Sequence, residues 1–283
     1  MLWEGFMIEN LVIKIFHQQA SSIEKLEKGL TNKNYKVIVD DKAYVVRVPY
    51  KNSEHIVNYR SEKKALDVIQ NAGLDVNTIY FNEKTGVKVT EYVDDLLGFN
   101  ENKSFDKYEK VGVLMRKLHD LNTRIHHEFD PIATFKTYRN HVSNPMILDR
   151  YAQPFIDFVK KNRVVSTLCH NDWVPDNICF SKEKNYLLDY EYAGDNDPMF
   201  DITSFLSENN ITNPIHRKVF LEAYFKNDYP KNLEKNLLHW EGFHHLLWCN
   251  WALMMYQQRE TPIYLSIAEE KKQAFEDIVT KLQ

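Results

Sequence analysis

The sequence predicts an α+β protein with a small β-rich first lobe and a larger, mainly helical second lobe. Apolar runs flank Asp40–Lys42 within 35–48 and Gly86 within 79–93, which is the pattern of two β-hairpins. From about residue 104 the apolar residues recur with helical spacing instead, over roughly 104–121, 214–227 and 233–258. This change of period places the lobe boundary near 93–98 and divides the chain into 1–95 and 96–283.

The composition restricts the class of protein. The chain has 283 residues, of which 43% are apolar, and a formal net charge of −4. This apolar content is sufficient for a sizeable core, and the negative charge disfavours a nucleic-acid-binding protein, which usually presents a basic stripe. The three cysteines have neither metal-finger nor disulfide spacing. With no basic leader and no apolar run of roughly 20 residues, we expect a soluble cytoplasmic protein without a transmembrane segment.

A predicted helix at 54–72 carries an acid on its apolar face. Glu62 shares this face, by i, i+3 and i+7 spacing, with Tyr59, Leu66 and Ile69. A buried carboxylate needs a cationic partner, and the run YVVRV in the preceding hairpin offers Arg47. The pair is either a structural ion pair or an arginine held in position to bind phosphate.

A turn before the first predicted strand is a second candidate for phosphate binding. The segment GLTNKNY at 29–35 combines Gly29 with short polar residues such as Asn32. These residues suit a backbone turn that approaches a ligand closely. Taken alone, the segment is better explained as an ordinary turn.

The segment 168–192 carries the most chemical information. LCHNDWVPDNICF contains His170, Asp172 and Asn177 in an H-x-D-x4-N pattern, and YLLDYEY adds Asp189 after an apolar run. A hairpin of Ile178–Phe180 with Tyr186–Leu188 would bring Asn177 and Asp189 to the same end. Amide and carboxylate oxygens are the ligands that magnesium prefers.

These residues match the division of labour in kinase phosphoryl transfer, with a base, an amide metal ligand and a second acid. We therefore expect Asp172 to accept the proton of an attacking hydroxyl, and Asn177 and Asp189 to bind Mg²⁺. His170 is expected to brace the loop through a backbone hydrogen bond. The alternative is a structural network in which the four polar residues satisfy one another, but their combination with a hairpin favours kinase chemistry.

Three segments, GLTNKNY, HNDWVPDN and LLDYEYAGDNDPMFDI, resemble those of the choline/ethanolamine kinase family within the aminoglycoside-phosphotransferase-like group. The resemblance extends from about residue 29 to about 258. It implies a bilobal protein-kinase-like fold, ATP and Mg²⁺ as cofactors, and a small-molecule acceptor. Protein kinases have G-x-G-x-x-G and D-F-G where this chain has GLTNKN and DYE, which disfavours a protein kinase.

The resemblance also implies roles for individual residues. Asp172 is the catalytic base and Asn177 and Asp189 are the metal ligands, as the spacing already indicated. Arg47, backed by Glu62, binds the ATP phosphates, and an arginine in place of the usual strand lysine is compatible with this family. A further segment meets adenine through its backbone, namely Glu91, Tyr92, Val93 and Asp94. Asp201 is expected to brace the catalytic loop.

Two tryptophans in the C-terminal third are candidates for acceptor binding. Trp248 and Trp251 lie three residues apart in HLLWCNWALMMY and so share a helix face. Such a stripe usually serves burial, but indole faces also bind quaternary ammonium groups. The W-x-x-W pair resembles the choline-cage tryptophans of the family, and Glu208 resembles the carboxylate near the cation. Weaker candidates for the cage wall are Tyr192, Tyr264 and Tyr190.

Choline is therefore the expected substrate. Its trimethylammonium group cannot donate an N–H bond, whereas the primary ammonium of ethanolamine would prefer carboxylates and carbonyls. Ethanolamine kinase and aminoglycoside-type phosphotransferase remain alternatives. A non-catalytic module that binds a nucleotide or a quaternary amine is a further alternative, which the presence of Asp172, Asn177 and Asp189 disfavours.

Overall fold

A computed structural model describes residues 2–26, 32–50 and 57–283, with side chains from residue 6 onward. Its helices are α1 (Leu2–Phe16), α2 (Tyr59–Ile69), α3 (Lys107–His119), α4 (Pro131–Asn140), α5 (Asp149–Asn162), α6 (Pro198–Glu208), α7 (Pro214–Phe225), α8 (Leu233–Arg259) and α9 (Pro262–Leu282). Its strands are β1 (Ser22–Leu26), β2 (Asn32–Val39), β3 (Lys42–Pro49), β4 (Thr78–Phe81), β5 (Lys88–Glu91), β6 (Leu97–Gly98), β7 (Thr167–Cys169), β8 (Ile178–Phe180), β9 (Asn185–Leu187) and β10 (Gly194–Asn196). The predicted α+β class is confirmed.

The chain divides into two compact units. The first unit contains residues 1–102 and 176–192, and the second contains 103–175 and 193–283. These units differ from the predicted division at 95–96 in two respects. The first unit extends to residue 102, and it includes the hairpin at 176–192, which the sequence placed in the second lobe. Strand pairing explains both differences, because β6 pairs with β8 in a small sheet of order β6-β8-β9.

The main sheet of the first unit has five antiparallel strands in the order β1-β2-β3-β5-β4. Both predicted hairpins are present. Asp40 and Asp41 connect β2 to β3 with φ values of 51° and 59°, as a two-residue turn with left-handed residues requires. Gly86 lies between β4 and β5 with φ of 70°, in the left-handed region that glycine adopts without strain.

Helix α1, which the sequence did not predict, covers one face of this sheet. Its residues Ile8 and Val12 are fully buried against alternate residues of β2, with neighbours from β3 and β5. The inward residues Tyr35 and Val37 show the period of two expected for a half-buried strand. Burying such side chains stabilises a fold by roughly 1.5–3 kcal/mol each.

Helix α2 confirms the predicted amphipathic pattern. Its N-cap is Asn58, whose side-chain oxygen accepts hydrogen bonds from the backbone N–H groups of Arg60 and Ser61. Part of the predicted start, 54–56, lies outside the described residues, as do residues 29–31 of the GLTNKNY turn. The four residues assigned to its inner face are all buried: Tyr59, Glu62, Leu66 and Ile69.

The second unit is built around α8, which packs against α4, α5, α6 and α9. The three predicted helices of this region correspond to α3, α7 and α8. All three cysteines are buried. Among the helices that the structure describes, none combines the length and the apolar character needed to cross a lipid bilayer.

We predict that Gly112→Ala destabilises the second unit. A Cβ atom at Gly112 on α3 would lie 2.6 Å from the carbonyl oxygen of Phe220 and 2.8 Å from Cβ of Ala223, both on α7. Alanine favours a helix over glycine by about 1 kcal/mol, but the backbone contact forces the helices apart, at a cost of about 1–3 kcal/mol. The free energy of unfolding in urea should therefore fall. Val113→Ala, at an exposed position of the same helix, is the control, and equal stability of the two variants would contradict this packing.

Candidate active site

Arg47 is the centre of a buried charge cluster in the first unit. Its Nη2 donates to Glu62 Oε2 at 2.7 Å, and its Nη1 donates to Asp189 Oδ1 at 2.6 Å. Nη2 also donates to the carbonyl oxygen of Gly86 at 3.1 Å. Burial opposes the positive charge, but the two carboxylates raise the pKa of Arg47, so the guanidinium stays protonated. The predicted Arg47–Glu62 pair is present, and Asp189 joins it.

Glu191 is a third acid of this cluster, and the sequence analysis did not single it out. Its carboxylate is buried and accepts a hydrogen bond from Asn32 Nδ2 at 3.0 Å. Burial and the neighbouring charge of Asp189 raise the pKa of Glu191 to about 8. Glu191 could have been predicted from its position, because it lies two residues after Asp189 in the YEY segment, which forms a buried turn. Three carboxylates thus surround one guanidinium.

Asn177 and Asp189 lie at the same end of the β8–β9 hairpin, as predicted. Asn177 ends a 3₁₀ turn and is buried, and its carbonyl oxygen accepts a hydrogen bond from Leu188 N at 2.8 Å. Asp189 follows directly, with a left-handed φ of 64°. The side-chain oxygens of Asn177 and Asp189 are of the kind that magnesium prefers, since they belong to an amide and a carboxylate. The excess of negative charge around Arg47 also fits an added divalent cation.

The loop that carries Asp172 is held in the second unit by Asp201. The two carboxylate oxygens of Asp201 accept hydrogen bonds from the backbone N–H groups of His170, at 2.9 Å, and Asn171, at 2.7 Å. Asn171 has a left-handed φ of 66°, and Asp172 N donates to His170 Nδ1 at 3.3 Å. The predicted bracing by His170 and Asp201 is present. Asp172 itself is half-buried.

A second buried group near this loop, formed by His119, Cys169 and Asp201, is close enough to ligate a metal. Its ligand atoms are already engaged, however. His119 Nε2 hydrogen-bonds Asp201 at 3.0 Å and His119 Nδ1 hydrogen-bonds Tyr224 Oη at 2.8 Å. Burial raises the pKa of the Cys169 thiol, which disfavours the thiolate that a metal needs. The group therefore has a structural role.

The segment expected to meet adenine follows β5 in the first unit. The backbone N–H of Glu91 donates to Asn77 O, and that of Tyr92 donates to Ala43 O, both at 3.0 Å. In the described part of the chain, the Val93 N–H makes no hydrogen bond. Val93 thus has a backbone donor that a ligand could use.

The two predicted cage tryptophans belong to a continuous aromatic cluster in the second unit. The rings of Trp248 and Trp251 are perpendicular with centroids 5.8 Å apart, and Trp251 meets Tyr264 in the same way at 5.7 Å. Tyr138 adjoins Trp248 at 6.5 Å. Trp248 and Tyr264 are buried, whereas Trp251 is half-buried. The cluster therefore brings together three of the predicted substrate-binding side chains.

His244 holds the indole of Trp248 in place. Trp248 Nε1 donates to His244 Nδ1 at 3.2 Å, and His244 Nε2 lies 2.9 Å from the carbonyl oxygen of Phe200. Since a carbonyl only accepts, the His244 proton is on Nε2. Burial lowers the pKa of His244 to about 3, so the ring is neutral. The sequence analysis did not reveal this contact.

Glu208 has a cationic partner from the protein itself. Its Oε2 is 2.8 Å from Nζ of Lys271 on α9, and both side chains are largely buried. The sequence placed Glu208 near the substrate cation and gave no indication of Lys271. The remaining candidate, Tyr192, lies with Tyr190 in a buried 3₁₀ turn of the first unit.

This chain is similar in sequence to a known protein family and to individual known proteins. The family model described as phosphotransferase enzyme family (APH) matches residues 22–233. Protein LicA of Haemophilus influenzae is 26% identical over 212 residues, which cover 71% of this chain but only 62% of that protein, so the chain spans less than two thirds of its length.

Among solved structures, the choline kinase LicA from Streptococcus pneumoniae matches with a TM-score of 0.80 and 23% identity, covering 97% of this chain and 99% of that one. A structure of LicA in complex with AMP also matches with a TM-score of 0.80 and 23% identity, covering 96% and 98% of the two chains. These likenesses show a shared fold and confirm the predicted fold class.

We predict that His244 makes stability depend on pH. The folded-state pKa of about 3 is below the ordinary value of 6.5, so above pH 6.5 neither state binds the proton. As pH falls from 6.5 towards 3, only the unfolded state gains it, and the free energy of unfolding decreases by up to about 1.4 kcal/mol per pH unit. His244→Gln should remove this contribution, which urea unfolding between pH 7 and pH 5 measures.

The buried neighbour His245, whose pKa is also lowered, contributes to the slope in both proteins and cancels in the comparison. His141→Gln, at an exposed residue, should retain the wild-type slope. Parallel pH profiles for wild type and His244→Gln would contradict a neutral, buried His244.

Proposed function

Because this chain belongs to the phosphotransferase enzyme family, we propose that it is an ATP-dependent choline kinase. It transfers the γ-phosphate of ATP to the hydroxyl group of choline and releases phosphocholine and ADP. The observation that carries the choice of acceptor is the aromatic cluster of Trp248, Trp251 and Tyr264. Glu208, the acid expected near the substrate cation, is already paired with Lys271.

The first unit supplies the groups for nucleotide binding. Arg47 presents a planar fork with several N–H donors, which suits phosphate oxygens. One arm of this fork donates to Asp189 and the other donates to Glu62. Phosphate can replace Asp189 as the partner of Nη1 while Glu62 continues to hold Nη2. This exchange would leave the Asp189 carboxylate available for a metal ion.

Asn177 and Asp189 would hold magnesium, with Glu191 as a further oxygen donor beside them. The excess of carboxylates over cations around Arg47 supports this assignment, because a divalent ion would relieve the charge that raises the pKa of Glu191. When bound, magnesium neutralises the charge of the transferring phosphate group. The backbone of Val93 offers a donor to adenine.

Asp172 accepts the proton from the choline hydroxyl, or orients that hydroxyl, as it attacks the phosphorus atom. The O–P bond to choline forms, the bond from phosphorus to the ADP oxygen breaks, and the hydroxyl proton passes to the Asp172 carboxylate. The hydrogen bonds from the loop to Asp201 support this role, because they hold the backbone on either side of His170 in one conformation. Catalysis is then mainly positioning and charge neutralisation.

The acceptor site favours a quaternary over a primary ammonium group. A primary ammonium has three N–H donors and requires acceptors, but the ion pair with Lys271 already uses one oxygen of Glu208. A trimethylammonium group has no N–H and is bound by ring faces, which contribute up to ~2 kcal/mol each when desolvated. The fold likeness to a choline kinase adds support to this choice.

A substrate panel tests the reaction. ADP release should require magnesium and should be fastest with choline, when choline, ethanolamine, an aminoglycoside and methylthioribose are compared. Asp172→Asn should lower kcat by roughly 10²–10⁴-fold, the usual contribution of a general base, with ADP affinity unchanged. Absence of ADP release with all four acceptors, together with retained nucleotide binding, would favour the non-catalytic binding module instead.

Replacing the cage tryptophans should separate substrate binding from folding. Trp251→Ala and Trp248→Ala should each raise the choline KM by about tenfold or more, since ~2 kcal/mol per indole face corresponds to more than tenfold in affinity. The ATP KM should change little. Trp240→Ala removes a buried tryptophan of the same helix that contacts Phe200 and is the control for loss of core packing. Equal increases in both KM values would show that Trp248 and Trp251 serve the core.

A further inference from the structure

A cavity of about 320 Å³ lies in the first unit, apart from the Arg47 cluster. Its walls come from three segments: the end of α2 with the loop that follows it, the residues after β5, and the β8–β9 hairpin. Of its lining residues, Glu91 and Val93 also belong to the segment expected to meet adenine. The volume is at the lower end of the range for small-molecule sites.

Backbone hydrogen bonds hold the three walls together. Glu91 N donates to Asn77 O at 3.0 Å, which joins the residues after β5 to the loop after α2. Leu187 N donates to Leu74 O at 2.8 Å, which joins the hairpin to the same loop. Because these bonds are between backbone groups, they fix the positions of the three walls, whatever the conformations of the lining side chains.

The cavity lining includes one cationic and one anionic side chain that form no ion pair with the residues the structure describes. In the described part of the chain, no carboxylate lies within ion-pair distance of Lys184, and no cation lies within that distance of Glu91. Lys184 Nζ lies over the ring of Tyr186, 4.8 Å from its centroid. A Cβ atom at Gly73 would be 3.0 Å from this Nζ, so the glycine leaves room for the ammonium group.

A third charged residue of the lining, Asp75, is neutralised. Its Oδ2 is 2.7 Å from Lys88 Nζ, and both side chains are buried. Its Oδ1 accepts a hydrogen bond from Val76 N at 2.7 Å. The charges left for a ligand are therefore one ammonium and one carboxylate. The neutral polar groups of Gln70, Asn77 and Thr78 complete the lining.

We propose that this cavity binds a small zwitterion, with its anionic group at Lys184 and its cationic group at Glu91. The anionic group can be a phosphate, as in phosphocholine, the product of the proposed reaction, or a carboxylate, as in glycine betaine. Both molecules have one cationic and one anionic end and are small enough for the volume. This proposal depends on the proposed choline kinase function only in the choice of phosphocholine as one of the two probes.

Charged residues connect this cavity with the Arg47 cluster. Lys88, the partner of Asp75, also acts electrostatically on Glu62, and Glu62 holds Arg47, which holds Asp189. A ligand beside Asp75 therefore changes the field at the groups proposed for phosphate and metal. By linkage, a zwitterion that alters nucleotide affinity must have its own affinity altered equally by the nucleotide.

Binding of labelled phosphocholine and labelled glycine betaine, measured by equilibrium dialysis, tests the site. Lys184→Gln should weaken binding at the cavity by roughly ten- to hundredfold, the usual value of a charge-assisted hydrogen bond. At ligand concentrations that saturate the wild type, the Lys184→Gln variant should therefore bind one equivalent of ligand less than the wild type. Lys182→Gln, at an exposed lysine of the same hairpin, should bind as the wild type does. The two probes distinguish a phosphate ligand from a carboxylate ligand.

Trp248→Ala makes this result independent of the acceptor proposal. If both proposals hold, wild type binds two equivalents of phosphocholine, and Trp248→Ala and Lys184→Gln each lose a different one. If only the acceptor proposal fails, Lys184→Gln alone loses an equivalent. Unchanged binding in a Lys184→Gln variant with a wild-type Tm overturns the cavity site.

The ADP dissociation constant measures the coupling. Saturating zwitterion should change it by about fivefold or more in wild type and should leave it unchanged in Lys184→Gln. An unchanged ADP dissociation constant in wild type would refute the coupling through Lys88.

Discussion

The first unit depends on the fork that Arg47 makes with Glu62 and Asp189. One guanidinium connects the sheet, helix α2 and the end of the β8–β9 hairpin, with both ion pairs at or below 2.7 Å. Buried ion pairs of this kind add little to stability, because desolvation offsets most of their attraction. Apolar residues would fill the same space at lower cost. Stability therefore does not explain why the charges are present, which supports the proposed role of the protonated Arg47 fork in binding phosphate.

The second unit uses two adjacent residues of α6 for a comparable purpose. Asp201 accepts hydrogen bonds from the loop before Asp172, and the preceding residue, Phe200, accepts one from His244. His244 in turn fixes the indole of Trp248. One turn of α6 thus holds both the loop of Asp172, the proposed base, and the aromatic surface proposed for the cation. A shift of α6 would move both, which keeps their separation constant.

The features predicted correctly from the sequence are those in which partners are close along the chain or share a period. The hairpins, the inner face of α2 and the Arg47–Glu62 pair belong to this group, whereas the Asp201 brace followed from the family resemblance. Helix α1 was not predicted because apolar residues occupy most of its positions, so the sequence shows no separate apolar and polar helix faces. Pairs of residues that are far apart in the sequence were not predicted for another reason. Asn32 and Glu191 are 159 positions apart, and Glu208 and Lys271 are 63 apart, so only the tertiary structure brings them together.

The charge balance differs between the two units, and this difference bears on what each one binds. Around Arg47 the carboxylates outnumber the cations, and the magnesium ion proposed for this site would reduce that excess of negative charge. In the second unit the largely buried acids Glu208 and Glu241 are each matched by a base, Lys271 and Arg217. A ligand there finds little uncompensated charge, so a cation must be bound by polarised ring faces rather than by ion pairing. A quaternary ammonium group, which loses less hydration than a primary one and donates no hydrogen bond, is the cation best suited to such a surface.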